Sequence, residues 1–191
     1  MTTVLNVQKV SGVSGSEAHL LSVLPLLRDR GWDARMLVLH EGEDGAREFI
    51  AAMRARGVPT EAWRMRFDLD PTVPLRLALR RPEILHTHLV HADLLGLPAA
   101  FAARVPVRVS TKHGFNEFRT GRALALADRT AARFATGQIA ISHGLADYLV
   151  KTEGFARDAF TSNPLIGIMR PTASSRGAAG GGGGGGPGSI P

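Results

Sequence analysis

Three short stretches of the chain carry residue types that could do chemistry. In "HTHLVH", His86 and His88 alternate and so share one face of an extended segment, with His91 three residues on. In "VSTKHGFNEFRTG", His113 follows an apolar run, Gly114 permits a sharp turn, and Asn116, Glu117 and Arg119 add donors and acceptors suited to hydroxyl-rich ligands. In "VSGVSGSEAH", small residues around Ser14, Gly15 and Ser16 would let backbone N–H groups approach an oxyanion where a helix begins. A zinc site at the histidines is disfavoured because no carboxylate or thiol with ligand spacing accompanies them, and hydrogen-bonding histidines at a sheet edge are the preferred reading. Gly12 and Gly15 are spaced G-x-x-G, and no G-K-[ST] follows. A dinucleotide fingerprint and a P-loop are therefore excluded. A tight strand–helix turn and an anion-approaching turn both remain open for this loop.

Residues of these kinds need a frame that brings them together. The pattern alternates strand and helix: "TVLNVQKV", then a helix with Leu20, Leu21, Leu24 and Leu27 at helical spacing, stopped by Gly31. The strand "ARMLVLH", a helix closed by Gly57, a short strand near Pro59–Met65 and a helix near Val73–Arg80 follow. Then come "EILHTH", a small-residue helix, "VPVRVST", an amphipathic helix with Leu124, Ala127, Ala131 and Phe134 on one face, and "TGQIAIS" as the last strand. Ser142 is placed to cap the helix after it. Strands separated by helices predict an α/β, Rossmann-like, doubly wound and mostly parallel sheet with helices on both faces. Ligands of such sheets bind beyond the carboxyl ends of the strands, where all three stretches fall.

The bulk composition narrows the class. Apolar residues make up 44% and charged residues 21% of the 191, the balance of a soluble globular domain. There is no cysteine, so disulfides and thiolate metal sites are out. The N-terminus "MTTVLNVQKV" shows no basic leader before an apolar stretch, and no run approaches the ~20 apolar residues of a membrane span. A cytoplasmic protein is expected. Of the 23 basic residues only Lys9, Lys112 and Lys151 are lysine, and the arginines lie singly along helices. The net charge of +6 thus gives no nucleic-acid footprint, and fits as well with a peripheral attachment to the inner membrane face.

Four segments, taken in order, resemble the N-terminal domain of family 4 glycosyltransferases, retaining enzymes of the GT-B fold. They are "SGSEAHLLSVLPLLRDRGWDARMLVL", "RRPEILHTHLVHADLLG", "VPVRVSTKHGFNE" and "GQIAISHGLADYLVKTEGF", which together span residues 4–155 with the first strand. The family shows a Gly-Gly-x-Glu turn before its first helix; Ser14 replaces the first glycine here, and Glu83 stands where Asp is usual. The resemblance implies one half of a GT-B fold. It implies a turn at Ser14, Gly15 and Ser16 that approaches a donor diphosphate, a catalytic His113 beside the reacting sugar, and His88, Asn116 and Glu117 facing the acceptor. It implies sugar transfer from a nucleotide-sugar donor to an acceptor hydroxyl with retained configuration, with no cofactor and no bound metal. A nucleotide-sugar epimerase shares the fold and is the alternative enzyme class. A sugar- or partner-binding domain without catalysis is the other.

The remainder of the chain sets a second expectation. From Ala159 the sequence holds no acidic residue and no periodicity, and it includes seven consecutive glycines, Gly180–Gly186. Residues 1–158 are expected to form the domain and 159–191 a disordered tail. The Arg/Lys pair and the E-x7-E segment that the donor-binding half of GT-B enzymes carries have no counterpart in "ARDAFTSNPLIGIMRPTASSRG". A truncated or frameshifted reading, inactive alone, is the corresponding expectation.

Overall fold

The structure is a computed structural model, described for residues 1–114 and 122–162. Seven strands form one sheet in the order β3-β2-β1-β4-β5-β6-β7. The strands are β1 (Thr3–Lys9), β2 (Asp33–His40), β3 (Thr60–Arg64), β4 (Ile84–His88), β5 (Val107–Lys112), β6 (Gly137–Ala140) and β7 (Phe160–Ser162). Between them run α1 (Gly15–Asp29), α2 (Asp44–Ala55), α3 (Thr72–Arg80), α4 (Leu89–Ala102), α5 (Arg122–Ala132) and α6 (His143–Glu153). Every pairing is parallel, so the expected mostly parallel sheet is wholly so. "TGQIAIS" is not the last strand: a 3₁₀ turn at Arg157–Ala159 leads into β7, and the elements run to Ser162, past the expected boundary at 158. Residues 163–191, including the glycine run, lie outside the described residues.

The winding reverses between β1 and β4, which are hydrogen-bonded neighbours although two strands separate them in sequence. Helices α1 and α2 close one face over Leu20, Leu24, Phe49 and Met53, which pack on Met36 and Val38. Helices α3 and α4 close the other over Val73, Leu77, Leu95 and Ala99, against Val7, Leu37 and Leu85. A strand buried on both faces ordinarily reads as an unbroken apolar run. β1 and β4 break that rule with Asn6, Gln8, Thr87 and His88, all buried. Each must find a partner, because an unpaired polar group in such a position costs about 1–3 kcal/mol.

The local signals behave as their chemistry requires. Gly31 and Gly57 leave α1 and α2 with φ of +88° and +74°, the left-handed region that glycine enters without strain. The Ser142 hydroxyl accepts from the Leu145 N–H at 3.1 Å and caps α6. On α5 the inward positions are Asp128, Ala131 and Ala132, with Leu124 and Ala127 only partly covered. A buried carboxylate, rather than the expected leucine, leads that face. No helix among the described residues is long and apolar enough to cross a membrane.

Candidate functional site

Asn6 in the middle of β1, His88 at the carboxyl end of β4 and His113 just beyond β5 form a hydrogen-bonded chain. The His88 ring meets Asn6 Oδ1 through Nε2 at 3.1 Å and His113 Nε2 through Nδ1 at 3.0 Å. Asn6 Nδ2 donates to the Arg35 carbonyl at 3.3 Å, which fixes Oδ1 as the atom facing His88. Oδ1 can only accept, so His88 carries its proton on Nε2 and its Nδ1 accepts from His113 Nε2–H. His113 is then left with an unprotonated Nδ1, a lone pair available to a hydroxyl. The tautomers follow from this chain of partners. His86, on the same face of β4, bonds Thr111 Oγ1 at 2.7 Å through Nε2, and its ring lies 4.1 Å from that of His88. From α1, His19 sets its ring edge-on to His113 at 5.5 Å.

These rings stay neutral. Burial, followed by repulsion from His113 and His19, pushes His86 down to about 3. Burial holds His88 well below the ordinary histidine value, helped by its imidazole neighbours. Burial and His19 bring His113 down to about 4 against the pull of Glu17. The cluster therefore offers hydrogen bonds rather than cations. Among the described residues no group of His, Asp and Glu side chains has a metal-holding arrangement. His86 and His88 sit on the middle strand of the sheet, not at an exposed edge, so they are satisfied by protein partners instead of by water.

The glycine-and-serine turn is built around Glu17. Its buried carboxylate accepts from the Ser14 N–H at 3.0 Å, the Ser14 hydroxyl at 2.6 Å and the Ser16 hydroxyl at 3.1 Å, and also from the Gln8 side-chain amide. This is the reciprocal cap that the Ser-x-x-Glu spacing permits. It commits the hydroxyls of both Ser14 and Ser16 inward and leaves Gly15 exposed at the start of α1. A second glycine secures the turn from outside. A Cβ on Gly45 in α2 would stand 2.5 Å from Gly12 Cα and 2.5 Å from the Ser11 carbonyl oxygen. Backbone lies directly on backbone there.

On the opposite face of the sheet β5 feeds a different cluster. Alternation sends Thr111 and His113 to the histidine side, and Ser110 and Lys112 to the α4 and α5 side. The buried Lys112 ammonium bonds Asp93 at 2.5 Å and Asp128 at 2.7 and 2.9 Å. Ser110 and Thr87 donate to Asp93 as well. Burial raises the Asp93 carboxyl, Lys112 draws it back, and Asp128 pushes it up again. At the rim, Lys9 pairs with Glu41 at 2.6 Å and with Asp68, which also lies 3.5 Å from His91. Leu89, between His88 and His91, holds φ at +67°, a strained turn for a branched residue of order 1–3 kcal/mol.

Of the residues expected from sequence, the structure brings His88 and His113 into direct contact and sets the Ser14–Ser16 turn at the N-terminus of α1. His91 stands apart at the rim. Asn116 and Glu117 lie outside the described residues. Asn6, Glu17, Gly45 and the Lys112 cluster were not singled out. The signal for Asn6 was present: a polar residue in the middle of "TVLNVQKV" must be bonded if that strand is central.

Residues 13–161 match the family described as Glycosyltransferase Family 4. The chain belongs to glycosyltransferase family 4. The sequence matches no curated protein. Among solved structures, Anabaena HepE in complex with UDP-glucose superposes with a TM-score of 0.66 at 18% identity, over 85% of this chain and 43% of that one. A glycosyltransferase from Rickettsia africae ESF-5 gives 0.60 at 15%, over 84% and 42%. The UDP-GlcNAc 2-epimerase of Neisseria meningitidis bound to UDP-GlcNAc gives 0.62 at 11%, over 84% and 45%. At these identities the likeness is one of fold, and it covers the GT-B transferases and the epimerases alike. The family 4 chain spans less than half the length of each of these structures.

Proposed function

We propose that this chain is the acceptor-side half of a retaining glycosyltransferase, working with a donor-binding half to move a sugar from a nucleoside diphosphate onto a hydroxyl. The observation that carries the reading is the Asn6–His88–His113 chain, which ends in a single acceptor atom at the crevice where the sheet winding reverses. A neutral imidazole there can take a hydrogen bond from a sugar hydroxyl and orient the ring without holding a charge against it. In the transfer, the bond from the anomeric carbon to the diphosphate breaks as the bond to the acceptor oxygen forms. The hydroxyl proton leaves with the diphosphate. The negative charge that develops calls for cations and N–H groups. The histidine cluster supplies no cation, and Glu17 already occupies the end of α1, so the diphosphate must be neutralised mainly by the other half.

Uridine diphosphate sugars are the first probes to use, since the structures with this fold include UDP-glucose and UDP-GlcNAc complexes. The family match favours transfer over epimerisation. Titrated with UDP-glucose, this chain alone is expected to show weak or no thermal shift; tight binding would overturn the division of labour. Joined to a donor-binding half, His113→Ala is expected to lower turnover about a hundredfold with an unchanged circular dichroism spectrum. Unchanged turnover would remove His113 from the site.

A further inference from the structure

Helix α3 is apolar on two opposite sides. Val73 and Leu77 point into the core at 1% and 2% exposure, whereas Leu75 and Leu79 point outward at 66% and 76%. The preceding loop adds Phe67 and Leu69, exposed at 53% and 49%. Elsewhere on the described surface large apolar side chains stand out singly, as with Leu26 on α1 and Leu126 on α5, which is ordinary. Four within residues 67–79 make a patch, and a patch calls for an occupant.

Charge says which occupant. Arg66, Arg76, Arg80 and Arg81 are all exposed within or beside the segment that carries the leucines. The Arg76 guanidinium lies 3.9 Å above the Trp63 ring, which holds it beside the leucine row. Of the nearby acids, Asp70 is buried against Thr72, Glu61 bonds Arg80 at 2.5 Å, and Asp68 bonds Lys9. A two-fold contact with a second copy would set arginines against arginines. An anionic bilayer meets both features at once, taking the leucines between its headgroups and the guanidiniums among its phosphates.

We infer that the face formed by Phe67, Leu69, Leu75 and Leu79, with its rim of arginines, docks this protein on an anionic lipid surface. The docking sets the rim of the candidate site at the interface, because Asp68 lies between Phe67 and Leu69 and bonds Lys9 beside His91. Acceptors carried in the membrane would then reach the crevice without leaving it.

The test is flotation of the full chain with phosphatidylcholine vesicles, with and without phosphatidylglycerol. Binding is expected only with phosphatidylglycerol, and it should weaken as salt screens the arginines. Leu75→Ser with Leu79→Ser should cut the bound fraction about tenfold or more. Leu126→Ser, at a leucine of similar exposure (54%) outside the patch, should leave it unchanged. Neither change touches the core, so the circular dichroism spectra should match that of the parent. The inference is overturned if phosphatidylglycerol vesicles do not retain the chain at low salt, or if the double variant floats like the parent. It is overturned equally if Leu126→Ser loses as much, or if sedimentation shows a dimer that depends on Leu75 and Leu79 with no vesicle binding.

Discussion

One strand, β5, supplies two polar clusters on opposite faces of the sheet, and they solve burial in different ways. Behind the sheet, Lys112 is closed in by Asp93 and Asp128, and charge meets charge with no exposed atom. In front, Asn6, His88 and His113 avoid charge altogether, and the chain ends on a ring that is only half-covered. A closed ionic cluster can only hold α4 and α5 to the strand. An open neutral chain has somewhere to send its last lone pair. The contrast separates support from function better than burial or residue type does, since both clusters hold buried titratable groups beside each other in sequence.

The sharpest way to break this contrast is to remove the closed cluster's cation. Lys112→Met leaves two carboxylates without their counter-ion and should cost about 3–5 kcal/mol, read by chemical denaturation; a loss within the noise would mean the cluster holds nothing. Acid should separate the two sides next. His86 and His113 have folded values near 3 and 4, below the unfolded histidine value of 6.5. The folded state refuses protons that the unfolded state takes, so stability is lost as pH falls from about 6.5 through 4, on the order of 3 kcal/mol per ring. The raised Asp93 carboxyl works in the opposite sense, because its protonation on acidification relieves a buried charge. His113→Gln should therefore flatten part of the fall in melting temperature between pH 6.5 and 4, and a parallel curve would argue against the histidine assignment.

A further test converts one side into the other. Asn6→Asp places a carboxylate at the 3.1 Å contact with His88 and should raise that imidazole's pKa back towards the ordinary histidine range, visible as a new histidine titration by NMR. An unmoved titration would mean that Asn6 does not control His88.

Much of this was legible beforehand. Strand–helix alternation, the stops at Gly31 and Gly57 and the Ser142 cap follow from local patterns, and local patterns survive folding; the common place of His88 and His113 follows from the rule that ligands meet such sheets at the strands' carboxyl ends and from the family resemblance. The Lys112 cluster was not, because Asp93, Lys112 and Asp128 lie on three elements and a charged residue reads as surface until its partners are known. The same holds for Asn6, whose bond to His88 spans 82 positions. β7 was missed for a plainer reason: three residues after a 3₁₀ turn carry too little pattern to announce a strand. The Ser-x-x-Glu spacing also announces that Glu17 takes the hydroxyls of Ser14 and Ser16, which leaves the expectation for this turn resting on its backbone N–H groups.

The contact at Gly45 has a mechanical consequence. Where side chains separate two elements, a small shift of one is absorbed by rotamers before the other feels it. Between α2 and the Ser11–Gly12 backbone no such cushion exists. The two behave as a geared pair: a ligand that displaces the turn before α1 must drag α2 along, and the far end of α2 reports on what happens at the crevice.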